Sequence, residues 1–366
     1  MKNKPKTALI LIFLSLLLTN PLAVFPQNKR FEREIAPGVK HIHLINSQIP
    51  LDVNILEVDL YNFGLGVSPA LAWGTPGRLE KLSSICQRNR ALAGINGTFF
   101  SRGGVPVGYI MIDEKIIFKS DIRRTSLGIT DLGDVVFGFF KPRLEVRIEG
   151  KRSFFLIEGV NRPRPSSGII LYTPCYGQRT RTNLFGQEIV VRKGPLGDYV
   201  SDIVDGNAPI PRDGYVISLS GQKIRVGEWL YLGARISIDF YIAEKWSNVV
   251  HLITGGPLLV SNHKVAVNAW EEGFRGRMTL ANPRSAVGVT KDNKLLLVVV
   301  DGRQPRLSVG LSFRGLANLM VKLGAQMAMG LDSGGSSGMW IKGRIVNSPS
   351  DGKERAISNA LLLVKR

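Results

Sequence analysis

Four charged residues in the last third of the chain stand where apolar runs begin or end: Arg284, Asp301, Arg303 and Asp332. A glycine-rich turn, Ser333-Gly334-Gly335-Ser336-Ser337-Gly338, follows the last of them directly. Charges gathered at strand ends beside such a turn make a site, whereas charges scattered over helices usually make only a solvated surface. The glycines let the backbone approach a ligand and aim N–H groups at an anion. A polar loop from Asn347 to Arg355 adds one more guanidinium, which either clamps a phosphate bidentately or pairs with Asp351. The turn also fits Gly334-x-Ser336-x-Gly338, the nucleophile-elbow spacing of serine hydrolases. That chemistry needs a helix after the serine and a histidine downstream, and all four histidines precede Ser336.

The elements that must position these residues are legible as apolar patterns. Ala286 to Val289 and Leu295 to Val300 flank Thr290-Lys291-Asp292-Asn293-Lys294, a hairpin signal. With Asp292-Asn293 as the central pair, the register sets Arg284 opposite Asp301, an ion pair that is either structural or part of a site. Ser312 caps a helix whose stripe of Phe313, Leu316, Ala317, Met320 and Leu323 faces a core and which Gly324 ends. A strand from about Met327 to Leu331 follows. Strand, helix and strand then form a crossover with parallel strands, which brings Asp301, Asp332 and the glycine turn to one edge. Upstream, His41 to Val67 alternates like strands, a helix spans Arg78 to Asn89, and Ala93 to Phe100 is a buried strand running into an Asn96-Gly97 turn. His41-x-His43 reads as one face of a strand. Short strand-like runs fill 121–247. The pattern predicts an α+β fold, a strand-rich mixed sheet with few helices, in which the C-terminal hairpin and crossover form the site. The domain reading is an export segment at 1–26, a strand-rich lead-in and helix at 27–92, and a main domain at 93–366 with its β-rich middle at about 121–247.

A chain of 366 residues with 44% hydrophobic and 21% charged residues is too apolar for disorder and buries a sizeable core. Lys2, Lys4 and Lys6 precede an apolar run from Ala8 to Leu18, the pattern of a signal for export, cleaved or kept as an anchor. A periplasmic or secreted protein is expected. The formal net charge of +19 favours an anionic partner such as phosphate, acidic polysaccharide or anionic lipid at peripheral contact. Nucleic acid is disfavoured, because the basic residues are spread out and no finger, basic helix or aromatic RNA motif accompanies them. Cys86 and Cys175 are either a disulfide or two separate thiols. Two Cys and four His without metal-ligand spacing argue against a zinc site, and no cofactor is expected.

Several segments, in order and spacing, resemble the phosphodiester glycosidase family: Asn96-Gly97-Thr98-Phe99-Phe100, Gly255-Gly256-Pro257-Leu258-Leu259-Val260, Asn282-Pro283-Arg284-Ser285-Ala286-Val287-Gly288, Asp301-Gly302-Arg303, Leu331-Asp332-Ser333-Gly334-Gly335-Ser336-Ser337, and Asn347 through Arg355. The likeness covers roughly Ile95 to Leu363. It departs from the family pattern at Thr98, where glycine is usual, and at Gly330 and Ser333, where asparagine and glycine are usual. The resemblance implies hydrolysis of a sugar-1-phosphodiester to free sugar and phosphomonoester, in envelope or exopolysaccharide metabolism. Such chemistry needs cations on the phosphate oxygens and a carboxylate that stabilises or attacks an oxocarbenium-like carbon. In that scheme Arg284, Arg303, Arg355 and the turn Gly334, Gly335, Ser336 and Ser337 bind phosphate. Asp332 and Asp301 serve as nucleophile or base, Glu354 as a further acid/base candidate, and Asn96 with Gly97 orients the sugar. The alternative is a non-catalytic binder of anionic glycans in the cell envelope. A hydrolase of ordinary glycosidic bonds is a third reading.

Overall fold

The computed structural model describes residues 29–61 and 64–365; the expected export segment at 1–26 lies outside the described residues. Among the described residues the strands form sheets of eight, thirteen and five strands and a two-stranded ribbon. The eight-stranded sheet carries the charged edge. Its strands run side by side in the order Lys29–Ala36, Val39–Asn46, Leu51–Asp59, Lys294–Val300, Arg284–Thr290, Ala325–Gly330, Leu258–Ser261 and Lys264–Val265. Arg284–Thr290 is antiparallel to both of its neighbours, so Lys294–Val300 and Ala325–Gly330 run parallel to each other on either side of it. The helix Phe313–Lys322 connects them, as the crossover pattern predicts.

Lys294–Val300 is apolar from Leu295 onward because both of its faces are covered. Leu296 and Val298 meet the helix stripe of Phe313, Leu316, Ala317 and Met320. Leu295, Leu297 and Val299 point the other way, toward Ile95, Met339 and Leu361 of the five-stranded sheet. The two-residue period of a strand thus supplies two cores at once. The helix begins where the Ser312 hydroxyl accepts the Gly315 amide at 3.1 Å. It stops at Gly324, whose φ of 87° is open to glycine without strain.

The hairpin register differs from the expected one by a residue. Arg284 faces Val300 rather than Asp301, and Val289 faces Leu295. The loop takes three residues, with Asn293 left-handed at φ 56°, a conformation asparagine tolerates. The Thr290 hydroxyl donates to Asp292 at 2.6 Å and accepts the Lys294 amide at 3.1 Å, which fixes this longer turn.

The thirteen-stranded sheet is built from strands between Tyr109 and Thr254, and it has its own core around Val146, Val160, Ile189 and Leu219. Its Gly159–Val160 and Gly168–Tyr172 strands are parallel while the other neighbours are antiparallel, so the fold is α+β with mixed pairing. The strands at 29–59 are part of the C-terminal sheet, since Leu51–Asp59 pairs with Lys294–Val300. The helix expected from Arg78 starts later, at Leu82, because Glu80–Lys81 pairs as a strand with Ala356–Ile357. Cys86 and Cys175 are separate thiols.

Candidate active site

A cleft of about 520 Å³ opens at the edge where these strands end, walled by Phe99 and Phe313 and by the loop from Arg277 to Asn282. Asp332, Ser333, Gly334, Arg284 and Arg303 also line it. Asp332 lies just past Gly330, the end of its strand, and is half-buried. Its backbone is pinned on both sides: its N–H donates to the Gly97 carbonyl at 3.0 Å, and its carbonyl accepts the Asn96 side-chain amide at 2.7 Å. Burial is the main reason its carboxyl is pushed up to about 6. The Ser336 side chain, the Ser333 amide at 2.9 Å, Arg355 and Arg124 oppose that rise by favouring the ionised form.

The glycine turn works through what it lets approach. Gly334 has φ 70°, and a side chain there would meet the Arg303 guanidinium at 3.0 Å. At Gly335 an added Cβ would overlap the Arg355 guanidinium and the Asp351 carboxylate. Two arginines therefore lie over two glycines beside Asp332. Arg303, exposed and left-handed at φ 60°, donates to Asn282 Oδ1 at 2.9 and 3.2 Å. Arg284 is buried over the Phe313 ring, 4.0 Å from its centroid. It donates from Nε to the Leu311 carbonyl at 2.7 Å and from Nη2 to the carbonyls of Met278 and Leu280 at 2.7 and 2.6 Å. Burial first, and Arg303 second, lower its pKa to about 10, so it stays a cation at neutral pH.

Other residues singled out from sequence lie outside this cleft. Asp301 is buried, and its carboxylate accepts Asn347 Nδ2 and the Ser348 amide, each at 2.8 Å. It faces Asp52 and His43 rather than Asp332, and burial raises it to about 6. The one-residue register difference and these loop contacts replace the expected Arg284–Asp301 pair. Glu354 accepts the Ser83 amide at 2.9 Å and the Ser83 hydroxyl at 2.7 Å, so it caps the Leu82–Arg88 helix. Asn96 is fully buried, and its Oδ1 accepts Ser285 Oγ at 2.7 Å and the Gly338 amide at 3.1 Å. It braces the Asp332 loop from behind, as does the Gly97 carbonyl. Arg355 pairs with Asp351 at 2.7 Å. Ser336 and Ser337 are buried, and Ser337 Oγ has no hydrogen-bond partner among the described residues.

The departures from the family pattern also have local causes. A Cβ on Gly330 would stand 2.7 Å from the Gly256 carbonyl oxygen, so the backbones of these two segments touch. Thr98 is buried, donating its hydroxyl to the Val107 carbonyl at 2.8 Å. Sequence reasoning missed Arg124, whose guanidinium lies 4.9 Å from the Phe99 centroid and 4.3 Å from that of Phe274, within reach of Asp332. It also missed Glu272, a buried carboxylate that accepts the Thr125 amide and hydroxyl at 2.8 and 2.7 Å and the Leu258 amide at 2.8 Å. Neither sits in a local pattern that marks it. Among the described residues no group of three or more His, Cys, Asp or Glu could hold a metal ion. His41 and His43 share a strand face and meet Asn54 and Asp52 at 2.9 and 2.8 Å.

Among proteins of known sequence, the chain is 36% identical over 86 residues to the SPbeta prophage-derived uncharacterized protein YomE of Bacillus subtilis, covering 24% of this chain and 13% of that protein. It is 26% identical over 223 residues to an uncharacterized protein of Rickettsia conorii, 58% of this chain and 76% of the other. A hypothetical protein from Synechocystis superposes with TM-score 0.81 at 22% identity, over 93% of this chain and 64% of that one. The catalytic domain of zebrafish N-acetylglucosamine-1-phosphodiester alpha-N-acetylglucosaminidase superposes with TM-score 0.51 at 18% identity, over 93% and 83%. These two likenesses are of fold. Residues 186–364, just under half of the chain, match the profile of the phosphodiester glycosidase family, a stretch that holds Arg284, Arg303 and Asp332.

Proposed function

We propose that the protein hydrolyses sugar-1-phosphodiesters, releasing the free sugar and leaving a phosphomonoester on its carrier. One observation carries this reading: among the described residues the cleft lining contains one carboxylate, Asp332, and three guanidiniums, Arg277, Arg284 and Arg303. Ordinary glycosidases use a pair of carboxylates because an alkoxide leaving group must be protonated. A phosphate leaving group is already a weak base, so one carboxylate suffices. After burial, Arg303 is the second influence that disfavours the charge of Arg284, and an anion between the two guanidiniums relieves that repulsion. In the reaction the C1–O bond breaks with its electron pair on the phosphate oxygen, where Arg303 and Arg284 stabilise the charge. Ionised Asp332 stabilises or attacks the electron-poor C1, and water supplies the oxygen of the released sugar and the proton that accompanies the phosphomonoester. Phe99 and Phe313 give the cleft an apolar wall beside the sugar ring. In this scheme Asp301, Glu354, Asn96 and Gly97 are positioning groups that do not touch substrate.

The same reading places the activity outside the cytoplasm, in envelope or exopolysaccharide metabolism, supported by the basic and apolar N-terminal pattern. No helix among the described residues is long and apolar enough to cross a membrane.

The test is a panel of sugar-1-phosphodiesters incubated with the purified chain, reading free sugar and retained phosphomonoester. Turnover by the native chain, lost in Asp332→Asn with folding intact, is expected. Binding across the panel without turnover selects a non-catalytic glycan binder instead, and undiminished cleavage of substrates lacking phosphate selects an ordinary glycosidase.

A further inference from the structure

A second cleft, of about 450 Å³, opens beside the segment Asp121 to Arg124. That volume is within the roughly 300–1,000 Å³ usual for small-ligand sites. Neighbouring residues of this segment serve different clefts: Arg124 stacks against Phe99 and Phe274 at the wall of the Asp332 cleft, while Arg123 lies 4.9 Å from the centroid of Phe139 in the second. The second cleft is lined by Tyr109, Asp121, Arg123, Phe139, Phe140 and Lys141.

Phe139 is 37% exposed with the Arg123 guanidinium over its ring, and Phe140 is held by edge contacts with Tyr109 and Trp246 at 5.3 Å each. An aromatic face packs the C–H side of a pyranose, while a carboxylate at the rim takes its hydroxyls. Asp121 Oδ1 accepts the Tyr109 hydroxyl at 3.1 Å and Lys119 Nζ at 2.8 Å, which leaves its second oxygen to a ligand. Burial raises the Tyr109 phenol, so it stays protonated and keeps donating to Asp121, which holds that carboxylate in place. With Asp121 already matched by Lys119, Arg123 and Lys141 bring two further cations, and neither forms an ion pair among the described residues. An uncompensated pair of cations over an aromatic floor selects a ring that carries its own negative charge.

We propose that this cleft is a subsite for an acidic pyranose, a uronate ring of the carrier glycan, on the far side of the Asp121–Arg124 segment from Asp332. The assignment to the carrier rests on the phosphodiester-glycosidase reading of the first cleft; the binding chemistry does not. Tri-galacturonate and the neutral maltotriose are the probes, titrated by calorimetry into the full chain and into Phe139→Ala and Arg123→Ala variants, both at surface positions. Tri-galacturonate should bind the native chain and lose about tenfold or more in affinity in each variant, with maltotriose weaker by a similar factor. Turnover of a methyl-capped sugar-1-phosphodiester, which has no carrier sugar, should be unchanged in both variants. Absence of tri-galacturonate binding, binding indifferent to both substitutions, or equal binding of maltotriose overturns the subsite. If tri-galacturonate binds as expected but no phosphodiester is turned over, the reading of the Asp332 cleft fails while the uronate site stands.

Discussion

At the residue scale the two aspartates that look equivalent in sequence separate sharply. Asp332 lines the cleft with arginines around it, and Asp301 is locked under Asn347 and Ser348. If Asp332 works as a carboxylate, kcat should fall as pH drops below about 6, since burial pushes its pKa there and protonation removes the working form. Asp332→Asn should cost about 10²–10³ or more in kcat, and a pH profile flat down to pH 4 would contradict the assignment. The arginines divide in another way. Among the described residues the side-chain hydrogen bonds of Arg303 go to Asn282 alone, so Arg303→Ala should raise KM with the fold intact. Arg284→Ala removes three bonds to loop carbonyls, so it should loosen the Arg277–Asn282 rim and lower thermal stability as well as activity. Asp332, Arg303 and the glycine turn were legible because polar residues at the ends of apolar runs stand out. Arg124 and Glu272 were not, since each also depends on a partner more than a hundred residues away, Asp332 for the first and Thr125 for the second.

At the scale of elements, the crossover from Lys294–Val300 through the helix to Ala325–Gly330 could be read from periodicity, because buried strands and an amphipathic helix leave plain patterns. The register of the hairpin could not. It turns on whether Asn293 enters the left-handed region, a choice that side-chain bonds from Thr290 settle and that the apolar pattern does not encode. The partners of the Asn347–Arg355 loop were equally hidden. Glu354 reaches a helix 271 residues earlier in the chain, and its effect should be structural. Glu354→Ala should lower stability by about 0.5–2 kcal/mol, as for loss of a helix cap, with kcat unchanged. A collapse of kcat at full stability would restore it as an acid/base group. Asp301 adds a pH dependence to the same loop. Its folded pKa, about 6 against an ordinary 3.8, is raised, so the stability it contributes is fully present below about 3.8 and is lost as pH rises through 6. A rise of this size corresponds to at most about 3 kcal/mol. Unfolding midpoints of the native chain should therefore decline from pH 4 to pH 7 more steeply than those of Asp301→Asn, and parallel curves would refute the linkage.

At the scale of the whole molecule, the lead-in strands at 29–59 extend the same sheet as the C-terminal strands. The apolar alternation that marks a strand says nothing of which distant strand it joins, which is why sequence alone divides the chain at residue 92 while the sheet runs across that boundary. Net charge acts at this scale too. With +19 on 366 residues, a substrate carried on a polyanion feels the field of the whole surface, while a small diester feels chiefly the cleft. Salt screens the first more than the second, because the Debye length shortens from roughly 14 Å at 0.05 M to about 6 Å at 0.3 M. Over that range kcat/KM for a sugar-1-phosphodiester on an acidic glycan should fall severalfold, mainly through association, and kcat/KM for a methyl-capped one should change less. Equal salt responses for the two substrates would mean that the basic surface plays no part in capturing the carrier, and that the charge serves only to keep the protein dispersed.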